Sequence, residues 1–398
     1  MSLPLDNFSL IGHPGAAGAG APGRRLREAV RQFTPNWFTV TMGTGVVALA
    51  LAQFPFGFPA QHEIGRALWL LDIGLFVLFS LAYTARWIFF FDGARRIFSH
   101  SVVSMFFGAI PMGLATILNG GLAFGIPLWG EGAVVPVVHA LWYVDVAMSV
   151  AAGLLIPFFM FTRQEHAIER MTAVWLLPVV ACEVAAVTGA QLVPHLAAEA
   201  AFPTLIFSYV LWALSVPVAM SILVILILRL ALHKLPARDM AASGWLALGP
   251  IGTGALGLLL MGTDARPVFA AAGLGGAGDV AFGLGLIGGL MLWGYGLWWL
   301  GLAMLKTVRY LRDGMPFNIG WWGFTFPLGV YSLATLALAR TTHLEAFALA
   351  GAALIAMLVG FWSVVAVRTA HGAWKGYLFV SPCLAGSPAA SRIEADFV

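Results

Sequence analysis

Four acidic residues stand in or at the ends of long apolar stretches: Asp72, Asp145, Glu183 and Asp279. An ionisable group at membrane depth is costly and marks a functional candidate, such as a proton carrier beside an anionic substrate. Glu183 is the candidate for that role, the alternative being a protonated side chain that is merely packed. Asp145 is deep but belongs to a helix read as structural, and Asp72 and Asp279 are expected at the interface. The hydroxyls of Thr39, Thr41, Thr44, Thr116, Thr253, Thr325 and Ser332 offer donors to an anion. They also bond back to helix carbonyls, which is the commoner use of any single one. No Lys or Arg stands at the centre of an odd-numbered apolar stretch, so an anion would be held weakly enough to leave.

Other chemistry finds no support. The two cysteines, Cys182 and Cys383, have no CxxC spacing, so neither a disulfide framework nor a zinc site is expected. The histidines fall in tails and connections, apart from His139 near the start of a span, which argues against a bis-histidine haem. No nucleotide loop, metal cluster or nucleophile with a nearby base occurs at useful spacing. No cofactor, metal or nucleic-acid partner is expected. A membrane-bound redox protein or enzyme is the alternative from another class, and a bound chromophore would revive it.

The elements that must position these groups are membrane helices. Of 398 residues, 60% are hydrophobic and 10% charged, against about 25% charged in a soluble domain. Ten spans of the length a bilayer demands fall roughly over 36–54, 66–90, 101–122, 134–161, 172–192, 203–232, 241–262, 280–308, 317–339 and 345–367. Residues 1–32 form a basic N-terminal segment, read as disordered over 1–23; 33–370 form the membrane domain, and 371–398 a tail. Eighteen of the 21 Lys and Arg fall on the side of both termini, leaving Arg66, Arg266 and Arg340 opposite. That bias places both termini in the cytoplasm.

A repeat underlies the spans. Pro111, Pro178, Pro250 and Pro327 lie in the odd spans at intervals of 67, 72 and 77 residues. Gly113, Gly252 and Gly329 follow three of them two residues on, and Thr41 takes the equivalent place in the first span. The unit is a helical hairpin used five times, with five kinked helices around an axis and five outside. Irregular backbone at depth is tolerated where it is buried or lines a cavity, so the prolines suggest a pore. A kink at Pro327 would free the carbonyl of Gly323 and aim Phe326 at the axis. In the eighth span, Gly285 and Gly289 have the spacing of close helix packing, and Trp298 and Trp299 are read as interfacial.

"FTPNWFTVTMGTG" (33–45), "FFGAIPMGLATILN" (106–119), "WLLPVVACEVAA" (175–186) and "NIGWWGFTFPLGV" (318–330) resemble the tellurite-resistance/dicarboxylate transporter family. That family includes tellurite-resistance proteins, malate permeases, sulfite efflux pumps and slow anion channels. The resemblance runs from about Phe33 to Arg368. It implies an all-α polytopic protein with ten helices as five hairpins in quasi-fivefold array around a central pore, as a homotrimer in the plasma (inner) membrane. It also implies a phenylalanine plug, which falls on Phe326, and a path lined by the first-helix motif with Thr41, Gly43 and Gly45. Glu183 departs from the apolar or small residues expected in its place. The expected partners are the lipid bilayer and a small anion: a C4-dicarboxylate such as malate first, sulfite second, or a halide.

Overall fold

A computed structural model describes residues 22–384. The N-terminal tail over 1–21 and the last part of the C-terminal tail lie outside them. Among the described residues every regular element is helical. The basic stretch Pro22–Gln32 is itself a short helix, which takes in the last two residues of the segment read as disordered. Ten longer helices follow: α1 (Thr39–Ala52), α2 (Gln61–Phe89), α3 (Ala109–Gly120), α4 (Glu131–Thr162), α5 (Leu177–Leu192), α6 (Ala198–His233), α7 (Leu248–Ala271), α8 (Gly275–Arg312), α9 (Phe326–Thr342) and α10 (Glu345–Lys375). Among the described residues, nine stretches containing α2 to α10 are long and apolar enough to cross a membrane. With 14 residues, α1 alone is too short.

The even and odd helices have different surroundings. The apolar windows of the stretches holding α3, α5, α7 and α9 are 78% to 94% buried, against 17% to 33% for the even helices. Almost all of α1 is buried as well. The odd helices therefore form the interior and the even ones face outward. Contacts follow the same division: α1 packs on α3, α3 on α5, α5 on α7, α7 on α9, and α9 returns to α1. Of the outer helices, α2 packs on α1, α4 and α6 on α5, α8 on α7 and α10 on α9.

The prolines act differently from the expectation. Each odd helix is preceded by a 3-10 segment: Pro35–Phe38, Val103–Gly108, Ala173–Leu176, Arg238–Trp245 and Ile319–Phe324. Pro178 and Pro327 are then the second residues of α5 and α9, and Pro111 and Pro250 the third of α3 and α7. Thr41 is likewise third in α1. The first N–H groups of a helix have no partner within it, so proline there sacrifices nothing. The defects thus mark where a 3-10 lead becomes an α-helix and are not kinks inside continuous helices. Gly323 belongs to the 3-10 lead, and the N–H of Gly329 donates to the Thr325 carbonyl at 2.9 Å, an early α-type bond of α9.

One further expectation changes and one holds. Trp299 is fully buried on α8, and only Trp298 is exposed. Gly285 and Gly289 lie against α7 of the same chain: a Cβ on Gly285 would stand 2.5 Å from the Leu258 carbonyl oxygen, and one on Gly289 2.8 Å from Leu259. The described part of the C-terminal tail folds back. Phe379 stacks on Trp37 with centroids 4.8 Å apart, and the Ser381 N–H donates to Gln32 Oε1 at 2.7 Å.

Candidate functional site

Where the five inner segments begin, they enclose a narrow cavity. Every one of them contributes: Thr39 and Met42, Phe106, Val174 and Leu177, Leu246, and Phe326 with Pro327. The wall is almost wholly apolar. Asp239 is its acidic residue, and no Lys or Arg belongs to it.

Phe326 opens α9 directly after the Thr325 N-cap. The switch from 3-10 to α geometry sets its direction, with Pro327 fixing φ in the first turn. The ring is 3% exposed. Its neighbour Phe324 sits in an aromatic cluster with Trp245, Trp321 and Phe361. Phe326 has no aromatic partner among the described residues, although apolar side chains surround it.

The glycines expected along the path occupy seams between inner helices. A Cβ on Gly329 would lie 2.5 Å from Val46 of α1, and one on Gly252 2.8 Å from the Tyr331 N of α9. Gly43 meets Thr325 and Trp322, and Gly113 meets Thr41. Close approach of the backbones needs these residues small. Pro111 and Pro250 start two of the helices that these seams join, and Pro178 starts α5.

The hydroxyls largely take their commoner use. Thr39 donates to the Asn36 carbonyl at 2.6 Å, Thr41 to Phe38 at 2.8 Å, Thr116 to Gly113 at 2.8 Å and Thr325 to Trp322 at 2.7 Å. Ser332 donates to Leu328 at 2.7 Å. Thr44 instead accepts from Trp362 Nε1 at 3.2 Å. Buried Thr253 has no partner. A hydroxyl whose proton is engaged by a carbonyl has none to offer an anion, so the inner helices present a poor donor array.

Asp72 is not interfacial: it is fully buried, and Oδ2 stands 3.3 Å from Thr116 Oγ1, sharing with the Gly113 carbonyl the one proton of that hydroxyl. Its Oδ1 has no partner. Glu183 and Asp145 are fully buried with all four carboxyl oxygens unpartnered. Glu183 follows Pro178 by five residues, as Thr116 follows Pro111 and Ser332 follows Pro327. It therefore stands where two other inner helices carry hydroxyls. Ser215 Oγ on α6 donates to the Val179 carbonyl at 2.9 Å, one turn before Glu183. Asp279 near the start of α8 pairs with Arg266 near the end of α7 at 3.2 Å, both side chains exposed. Asp264 on α7 is half-buried and was missed because the span was drawn to end at 262.

Residues 32–370 match the family described as SLAC1, voltage-dependent anion channel. A sulfite efflux pump of Trichophyton rubrum is 37% identical over 366 residues, covering 91% of this chain and 96% of that protein. The malic acid transport protein of Schizosaccharomyces pombe is 25% identical over 339 residues, 83% of this chain and 76% of that one. An uncharacterized transporter of Methanocaldococcus jannaschii is 25% identical over 359 residues, 88% and 96%.

Proposed function

The chain belongs to the voltage-dependent anion channel (SLAC1) family, and from that premise we propose that it moves small anions along an axis enclosed by its five inner helices, with Phe326 as the gate. The cavity to which all five inner segments contribute, with Phe326 and Pro327 in its wall, is the observation that carries this reading. A phenyl ring across a narrow apolar path blocks ions by excluding water. Rotation of one side chain then opens it. The names of the family and its relatives are those of channels and transporters, not enzymes.

The unbroken succession of contacts from α1 through the odd helices and back to α1 supports ten spans, arranged as five hairpins in quasi-fivefold array. The first span combines the 3-10 turn Pro35–Phe38 with α1, together about 29 Å long, close to the hydrocarbon thickness. The Lys and Arg bias supports a plasma (inner) membrane protein with cytoplasmic termini; reporter fusions at residues 30 and 375 would report cytoplasm and one near 128 the outside. A homotrimer, each protomer with its own path, completes the proposal.

Among anions, a small inorganic oxyanion such as sulfite is favoured by the 37% likeness to a sulfite efflux pump over nearly its whole length. Malate is the second reading, from the more distant malic acid transport protein. Parallel liposome fluxes of sulfite, malate, nitrate and chloride, with and without a pH gradient, decide the order. Sulfite should pass fastest; malate passing well ahead of it would reverse the assignment. Glu183, buried and unpartnered on α5, is the candidate proton carrier of this path.

A further inference from the structure

Among the described residues, the wall of the gate cavity carries one negative group and no positive one. Asp239 belongs to it, with no Lys, Arg or His beside it in the lining. A path for anions would be expected to avoid a carboxylate, so its place needs a reason.

Asp239 stands in the first turn of the 3-10 lead Arg238–Trp245 and is half-buried. The backbone here is held on two sides. Asn318, at the start of the α9 lead, donates from Nδ2 to the Asp239 carbonyl at 2.9 Å, and the Tyr310 hydroxyl of α8 donates to the Pro236 carbonyl at 2.7 Å. The segment leading to Phe326 is thus tied to the residue that carries the acid. Asp239 precedes Pro250 by 11 residues, whereas Phe326 directly precedes Pro327. By the repeat, the carboxylate lies nearer the mouth and the ring deeper. The charged and titratable groups around it are Arg238 on the same segment, Tyr310 within reach of its charge, and Glu169, Arg170, Arg229 and His166 in the wall beyond Met240. Asp239 itself makes no ion pair among the described residues.

Two effects then act on an entering anion. Between apolar walls the cost of leaving water grows with the square of the charge, about fourfold from a monoanion to a dianion. Repulsion from the Asp239 carboxylate grows in direct proportion to the charge. Both bear hardest on a dianion, and no cation in the wall offsets them. A monoanion meets a far lower barrier.

We propose that Asp239 is a specificity residue of the path, a charge filter at the mouth of the gate cavity that admits singly charged anions and turns back dianions. The inference rests on the anion-transport reading and narrows its substrate class: of the two sulfite species, hydrogensulfite passes and the dianion does not. A pH gradient acts on hydrogensulfite directly, so proton carriage by Glu183 is separated from it with nitrate, whose charge does not change with pH.

The test is liposome flux of perchlorate and sulfate, tetrahedral oxyanions of similar size that differ in charge, at equal pH on both sides. Wild type should pass perchlorate well ahead of sulfate. Asp239→Asn should raise the sulfate-to-perchlorate ratio severalfold, with perchlorate flux near wild type. The shift should shrink as salt rises, because the carboxylate is half-exposed to screening. Asp239→Glu keeps the charge and should keep the ratio. Asp239→Ser, a second neutral variant, carries the test where Asp239→Asn does not reach the membrane. An unchanged ratio in the neutral variants, with Phe326→Ala still raising perchlorate flux, would overturn the filter and leave the gate standing. A shifted ratio with no gain in Phe326→Ala would support the filter and strike the gate instead. Liposomes that pass neither anion in any variant would overturn the transport reading, and the filter with it.

Discussion

Trp362 of the last outer helix donates from Nε1 to Thr44 Oγ1 of the first inner helix, at 3.2 Å across 318 residues of sequence. The bond joins the last helix of the bundle to its first. Trp362→Phe keeps an aromatic ring but removes the donor with the pyrrole half of the indole, the lost bond alone costing about 0.5–1.5 kcal/mol. Trp362→Ala should cost about 3–5 kcal/mol and lower the yield of folded protein. Thermal unfolding in detergent should rank wild type above Trp362→Phe and that above Trp362→Ala. Equal midpoints for the first two would remove this bond from the account of stability.

Gly45 offers a second check on how the inner helices meet. A Cβ there would lie 2.6 Å from Asp72 Oδ2 and would also strike Thr116 Oγ1. Gly45→Ala should disturb the Asp72–Thr116 bond and cost at least the 1–3 kcal/mol that is typical of overpacking, about 2 in the middle. Size-exclusion profiles should show reduced monodisperse protein, and Gly45→Val still less. A Gly45→Ala protein as stable as wild type would mean that α1, α2 and α3 have room to separate.

His100 makes stability depend on pH. Its Nδ1 accepts from the N–H groups of Val102 and Val103 at 3.2 Å each, and burial lowers its pKa from 6.5 to about 4. Between those values the unfolded chain binds a proton that the folded chain does not, so stability falls as pH drops through that window. The contribution is complete above about pH 6.5. The unfolding midpoint should be lower at pH 5 than at pH 7, and His100→Asn, which retains an acceptor, should flatten the change. The same slope in both proteins would assign the pH effect elsewhere.

Glu183→Gln separates proton carriage from packing. Glutamine keeps the volume of the side chain and cannot release a proton. Flux driven by a pH gradient should fall to background in the variant, while exchange of labelled anion across equal pH continues. Unchanged response to the gradient would reduce Glu183 to a packed, neutral residue.

Much of this architecture was legible in the chain. Pro111, Pro178, Pro250 and Pro327 found the inner segments because each stands in the first turn of its α-helix. Their effect was misread: hydropathy does not distinguish a 3-10 lead from α-helix, so the proline looked mid-helix. Asp72 reads as interfacial when hydropathy starts the span at 66, whereas α2 begins at Gln61. The signal was present, since Asp72 and Asp145 stand 73 residues apart, about one repeat interval. Trp299 was misplaced for another reason. Sequence reveals an aromatic pair on α8 but not which of its rings turns toward the inner helices.

The gate is tested most directly by Phe326→Ala, measured as single-channel conductance and bulk flux beside yield and thermal midpoint. A ring that only fills core would cost about 3–5 kcal/mol on truncation and change no conductance. A ring that closes the axis should leave yield and midpoint near wild type while anion conductance rises severalfold, with Phe326→Leu in between. Phe326→Ala protein of wild-type yield and stability that conducts no more than wild type would contradict the gate.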